Sequence, residues 1–158
     1  MKKRIDIIIP AFKAQDTIDR TLASIATQSI VNDIVGDDTY IYVCGDFDTV
    51  VKLLKSTLGL VATGDTLVRN GEVMVNDDTY VYAGGTNDSI VKFKKSDMTK
   101  VSQSASMSDT IYSITQDYLH IYAGNRQGLI HQYLKSDMST VDTAIYTTGI
   151  DAKAMITK

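Results

Sequence analysis

The hydrophobic rhythm of the chain changes once, near Ile30. Before that point, Arg4 to Ile9 carries Ile5, Ile7, Ile8 and Ile9 in a short β-rich run that Pro10 stops. Ile18, Leu22 and Ile25 then follow four-then-three spacing. Asp16 or Thr17 stands where a helix cap belongs, and Asp19 and Arg20 fall on the polar side. Gln28 and Ser29 end the segment, which predicts one strand followed by one helix. Beyond Ile30 the apolar runs become shorter. Clusters of Asp, Gly, Ser and Thr separate them, the punctuation of strands and tight turns.

These later runs recur. The stretches from Asp37 to Val61, Asp77 to Val101 and Asp117 to Val141 align without a gap at an offset of 40 residues. They read DDTYIYVCGDFDTVVKLLKSTLGLV, DDTYVYAGGTNDSIVKFKKSDMTKV and DYLHIYAGNRQGLIHQYLKSDMSTV. Five columns are identical in all three: Asp37/Asp77/Asp117, Tyr42/Tyr82/Tyr122, Lys55/Lys95/Lys135, Ser56/Ser96/Ser136 and Val61/Val101/Val141. Others stay apolar, such as Val50/Ile90/Ile130 and Leu53/Phe93/Tyr133.

In the second repeat, Thr79 to Gly84 reads as a strand and Gly85 to Asp88 as a turn. Ser89 to Lys95 reads as a second strand, Ser96-Asp97-Met98 as a turn, and Lys100 to Ala105 as a third strand. Ile111 to Thr115, opened by Asp109, leads into the next repeat. Four short strands in about 40 residues fit a propeller blade. A helical solenoid of that period needs two apolar helices, which the Gly, Thr and Tyr content forbids. The expected fold is mainly β: three propeller-type four-stranded blades, preceded by the short N-terminal strand–helix.

Composition sharpens that division. All ten glycines lie at or beyond Gly36, all nine tyrosines at or beyond Tyr40, and Glu72 is the one glutamate among 19 acids. Aspartate favours turns where glutamate favours helices. Residues 1–30 and 31–158 therefore form separate units, the second ending in the first strand of a fourth blade at Lys153 to Thr157.

A net charge of −3 argues against nucleic-acid and anionic-membrane partners. Ile5 to Phe12 is too short to span a membrane, and Lys13 to Asp16 offers no signal-peptide cleavage site. A cytoplasmic or virion-associated location is expected. With Cys44 as the one cysteine, neither an internal disulfide nor a cysteine-based zinc site is possible.

YIYVCGDFDTVVKLLKS, YVYAGGTNDSIVKFKKSDMT and IYAGNRQGLIHQYLKSDMS resemble the short blades of WD-type and quinoprotein-like propellers. They are most similar to the divergent blades of phage and bacterial repeat proteins. The resemblance covers residues 31–158 and implies a phage- or mobile-element-derived scaffold or binding protein. The Trp-Asp and Gly-His pairs of WD blades do not occur. IDIIIPAFKAQDTIDRTLASIATQS is similar to the opening strand and helix of family-2 glycosyltransferases. That likeness implies Pro10, Ala11 and Phe12 beside the base of a sugar nucleotide, with a divalent metal as the further cofactor. The repeats consume the rest of the chain and leave no length for a catalytic half.

Candidate chemistry within the repeats has a structural reading at each position. The Asp37-Asp38 and Asp77-Asp78 pairs suit turns that lead into strands, because Asp accepts backbone N–H groups two residues on. Asp46 and Asp48 offer two oxygens to a cation, but the equivalent turns do not preserve them. The Lys-Ser columns are expected to shape the turn leaving the third-run strand. His120 and His131 replace Tyr80 and Val91 and form no dyad. Cys44 replaces Gly84 as a small buried hydrophobe. Tyr40, Tyr42, Tyr80, Tyr82, Tyr118 and Tyr122 are expected on second strands, packing blade on blade. No catalytic residue, metal or cofactor is assigned in the blades.

Closed propellers hold about four to eight blades. Three would leave two apolar faces in water, so the chain is expected to close by homodimerisation into a six-bladed ring. A protein or glycan ligand would bind its face. The alternative is a sugar-nucleotide-dependent glycosyltransferase remnant or accessory protein.

Overall fold

The computed structural model describes residues 30–145 except 68 and 87. The strand–helix expected before Ile30, with Pro10, Ala11 and Phe12, lies outside the described residues, as does the strand expected at Lys153 to Thr157. The described part is all β. One sheet holds β1 (Val31–Gly36), β2 (Tyr40–Gly45), β3 (Val51–Leu54) and β4 (Leu60–Thr63). The next holds β5 (Gly71–Asn76), β6 (Tyr80–Gly85), β7 (Ile90–Lys94) and β8 (Lys100–Gln103). The third holds β9 (Ile111–Gln116), β10 (His120–Asn125), β11 (Leu129–Leu134) and β12 (Thr140–Ile145).

Each sheet is an antiparallel meander in chain order, so the 40-residue repeat is one propeller-type blade. The expected strands of the second repeat are present, with ends displaced by a residue or two. β8 stops at Gln103 because the buried Ser104 hydroxyl accepts the Ile90 N–H at 2.9 Å, ending the ladder with a side chain.

Two local devices recur in every blade. At the turn between its first and second strands, Asp37 Oδ1 accepts the N–H groups of Thr39 (3.1 Å) and Tyr40 (2.9 Å). Asp77 and Asp117 do the same for Thr79 and Tyr80, and for Leu119 and His120. These are the Asp turns that the sequence predicts. At the turn between third and fourth strands, Leu58, Met98 and Met138 adopt left-handed backbone with φ of 55°, 62° and 65°. Their N–H groups close onto the carbonyls of Leu54, Lys94 and Leu134. That conformation is unfavourable for a residue with a Cβ. It drives the Met98 and Met138 side chains fully into apolar surroundings.

The core lies between blades. Tyr42, Cys44, Val50 and Leu67 of the first unit meet Met74, Val81, Ala83, Val91, Phe93 and Met98 of the second. Tyr82, Ile90 and Met107 likewise meet Ile111, Ile114, Ile121, Ala123, Tyr133 and Met138. β1, β5 and β9 pack on one another at the inner end of the stack, while β4, β8 and β12 lie at the sheet edges and are mostly exposed. Each blade thus has a trailing face turned to its successor and a leading face turned to its predecessor.

Candidate functional site

Three of the five invariant columns converge where blades meet. Within the first blade the Tyr42 hydroxyl donates to Asp37 Oδ2 at 3.0 Å, and Lys95 Nζ reaches the same oxygen from the second blade at 3.2 Å. One blade later, Tyr82 donates to Asp77 at 2.9 Å and Lys135 Nζ lies 3.5 Å from that carboxylate. Both ammonium groups also approach the tyrosine ring of the same cluster, at 5.3 Å and 5.7 Å from its centroid. A second lysine crosses each seam in the opposite direction. Lys52 Nζ donates to the Lys95 carbonyl at 2.7 Å and Lys92 Nζ to the Lys135 carbonyl at 2.5 Å. They lie 3.9 Å and 4.0 Å from the ring centroids of Tyr40 and Tyr80.

The electrostatics follow from this geometry. Burial opposes the charge of Asp37, but the amides of Tyr40 and Thr39, then Lys95 and Tyr42, outweigh it and hold the carboxyl well below the usual range. Asp77 is lowered by the same balance of burial against hydrogen bonds and Lys135. Burial, reinforced by the neighbouring carboxylate, pushes the phenols of Tyr42 and Tyr82 well above their ordinary value. Burial lowers the Lys92 ammonium, against the pull of Asp77 and Asp137. Each cluster at neutral pH is a carboxylate held by a phenol and an ammonium. It is a crosslink and supplies no poised acid or base.

A shallow groove of about 660 Å³ opens over the first seam, between the turns that carry Asp37, Asp38, Asp77 and Lys95, and is lined also by Tyr40 and Lys52. Other singled-out residues lie elsewhere. The pairing of β10 with β11 sets His120 opposite Leu134 and His131 opposite Ala123, which keeps the two histidines apart. His120 Nδ1 is 3.2 Å from Asp117 Oδ2, and His131 Nδ1 is 3.0 Å from the Tyr133 hydroxyl. Burial pushes the His131 imidazole down. Asp46 accepts the Asn70 amide at 3.2 Å. Among the described residues no three His, Cys, Asp or Glu side chains gather as a metal site would require. Cys44 is buried, and that burial pushes its thiol up to about 12.

Two readings change. Tyr118 is not on a second strand: it occupies the column of Asp38 and Asp78, in the turn before β10, and is exposed. Lys95 and Lys135 do more than shape a turn, since they join one blade to the preceding one. The invariant columns alone carried no signal for it, since each Asp stands 18 residues from the Lys of its own repeat as regularly as 58 from the Lys that meets it. Nothing in the packing of Val61, Val101 and Val141, all half exposed, explains their identity.

No family model matches the chain, and no curated protein matches it. Solved structures do. The WD40 repeats of RRP9 superpose with a TM-score of 0.70 at 12% identity, over 77% of this chain and 40% of that one. The U3-55K structure gives 0.69 at 12% identity, over 75% and 40%. The computationally designed Ika4 protein gives 0.76 at 11% identity, over 83% and 81%. The chain spans about two-fifths of the two natural structures, and the likeness establishes the propeller-type fold.

Proposed function

We propose that this protein is a non-catalytic propeller scaffold whose ring is completed by a second copy and whose face binds a protein or glycan. The observation that carries this reading is the use of the invariant charged groups: Asp37, Asp77, Lys95 and Lys135 are committed to joining blades. In blade repeats, residues kept for building the repeat support a scaffold, because function is added at surfaces that differ between repeats. The rim of the groove over the first seam is such a surface, because the exposed Asp38 and Asp78 give way to Tyr118 in the third repeat. The carboxylates of Asp38 and Asp78 and the exposed turn atoms beside them supply acceptors and donors to a ligand.

Light scattering on the purified chain tests the ring. A mass of twice 17.3 kDa is expected, and a monomer at every concentration would end this reading. A thermal-shift screen with sugar nucleotides and manganese tests the role of residues 1–30. No shift is expected. A rise of several degrees that disappears when Phe12 is replaced by alanine would favour the glycosyltransferase alternative.

A further inference from the structure

The crosslink pattern is directional, and both ends of it are unfinished. Each blade offers an Asp–Tyr half-site on its trailing side and receives a lysine from its successor. In the third blade the half-site is assembled: Tyr122 donates to Asp117 Oδ2 at 2.7 Å and His120 Nδ1 lies 3.2 Å from the same oxygen, while the Asp117 side chain stays 46% exposed. No lysine reaches it among the described residues. Lys55 occupies the column of Lys95 and Lys135. It is exposed and has no acidic partner among the described residues.

The apolar columns are unfinished at the same ends. Ile34 on the leading face is 54% exposed, whereas its equivalents Met74 and Ile114 are 3% and 9% exposed beneath a preceding blade. Leu58 is 36% exposed, against 0% and 2% for Met98 and Met138. On the opposite face, Tyr122 and Ile130 are part-exposed while Tyr42, Tyr82, Val50 and Ile90 are buried.

We infer that the Asp117–Tyr122 half-site of one copy receives Lys55 of a second copy, with Ile34 and Leu58 of the latter packing on Tyr122 and Ile130 of the former. The occupant is specified by the two internal seams. They join the same columns in the same order, with Lys–Asp distances of 3.2 Å and 3.5 Å. The charges are complementary at the two free ends, and two such head-to-tail seams close a ring about one two-fold axis. The inference rests on the self-closing scaffold proposed above and assigns the residues that make it.

One difference sets the strength of the join. Gln132 stands where Lys52 and Lys92 send an ammonium across a seam, and its amide donates to Tyr122 at 3.3 Å instead. The intermolecular seam therefore leans on an ion pair at its rim. It is weaker than the internal seams and loosens as salt rises.

A charge-reversal experiment tests this. Lys55→Asp alone sets Asp against Asp117 in both seams of a homodimer, and Asp117→Lys alone sets Lys against Lys55. Each variant alone is expected to run at the monomer mass in light scattering. An equimolar mixture is expected to recover twice that mass, because one seam is then native and the other carries the reversed pair. Asp117→Asn keeps an oxygen for the Leu119 and His120 amides and removes the charge, so it serves where the lysine variant does not fold. It is expected to raise the dissociation constant about tenfold in low salt. If Lys55→Asp and Asp117→Asn both dimerise as tightly as the wild type, the assigned latch is wrong while ring closure stands. A wild-type chain that is monomeric throughout overturns both.

Discussion

At the scale of single residues, the chain shows which kinds of constraint a sequence exposes. The turn role of Asp37, Asp77 and Asp117 was legible because it is local: the acceptor oxygen and the donated amides lie two and three residues apart. The partnership of Asp37 with Lys95 was not, because an invariant column reveals that a residue serves the repeat without saying which copy holds its partner. Glycine constraints show the same limit. Gly85 looks like an ordinary strand end, yet an added Cβ would stand 2.1 Å from the Asn70 carbonyl oxygen and 2.8 Å from the Glu72 nitrogen. Both are backbone atoms beside the bulge in the β5–β6 pairing. Gly85→Ala is therefore expected to lower the unfolding free energy by about 1–3 kcal/mol, read as a lower urea midpoint, since neither neighbour can rotate away. An unchanged midpoint would mean that the bulge yields easily.

At the scale of the element, the turn after the third strand is where the environment decides what the sequence leaves open. Ser96-Asp97-Met98 reads as a turn, which leaves the environment of its methionine open. The left-handed backbone at Met98 and Met138 turns that side chain into the preceding blade. Burial of a methionine is worth about 1.5–3 kcal/mol, enough to offset a strained φ of about 1–2 kcal/mol. Met98→Ala is expected to cost about 2–5 kcal/mol of stability, as core truncations do. Leu58→Ala, in the same turn of the first blade, is expected to cost well under half as much in dilute monomer. Its larger effect is expected on the association constant. Equal losses in the two variants, measured by denaturant titration at low protein concentration, would show that the leading face of the first blade is already covered.

At the scale of the whole molecule, the strand count and the stacking order were legible from the period alone. The burial gradient explains why: the second strand of each blade is mostly buried and reads as a short apolar run, while the outermost strands β4, β8 and β12 are mostly exposed. The ends of the stack were legible only as arithmetic, three blades where closure takes more.

Acid sensitivity belongs to this scale, because the depressed carboxylates hold the stack together. Asp37 and Asp77 have folded-state values below the ordinary 3.8. Once the pH falls below that value, the unfolded chain binds protons that the folded chain does not, so their contribution to stability falls progressively. Above it the contribution is fully present. Urea midpoints are expected to be level from pH 7 to about 5 and to fall steeply below about 4. Asp37→Asn should start lower at pH 7 and fall less. A parallel loss in both proteins would assign the acid response to other groups.

The directionality of the seams has a consequence for how such a chain can change. Every blade brings one acceptor for the unit after it and one cation for the unit before it, at fixed positions in a 40-residue period. Tandem duplication or loss of one period in the coding sequence therefore preserves the Lys–Asp bond at each surviving junction. Blade number is free to drift in whole units, and under the proposed self-closure the copies needed shift with it. Inheritance acts here on the grammar of the junction, which lets the number of blades vary without any junction being reinvented.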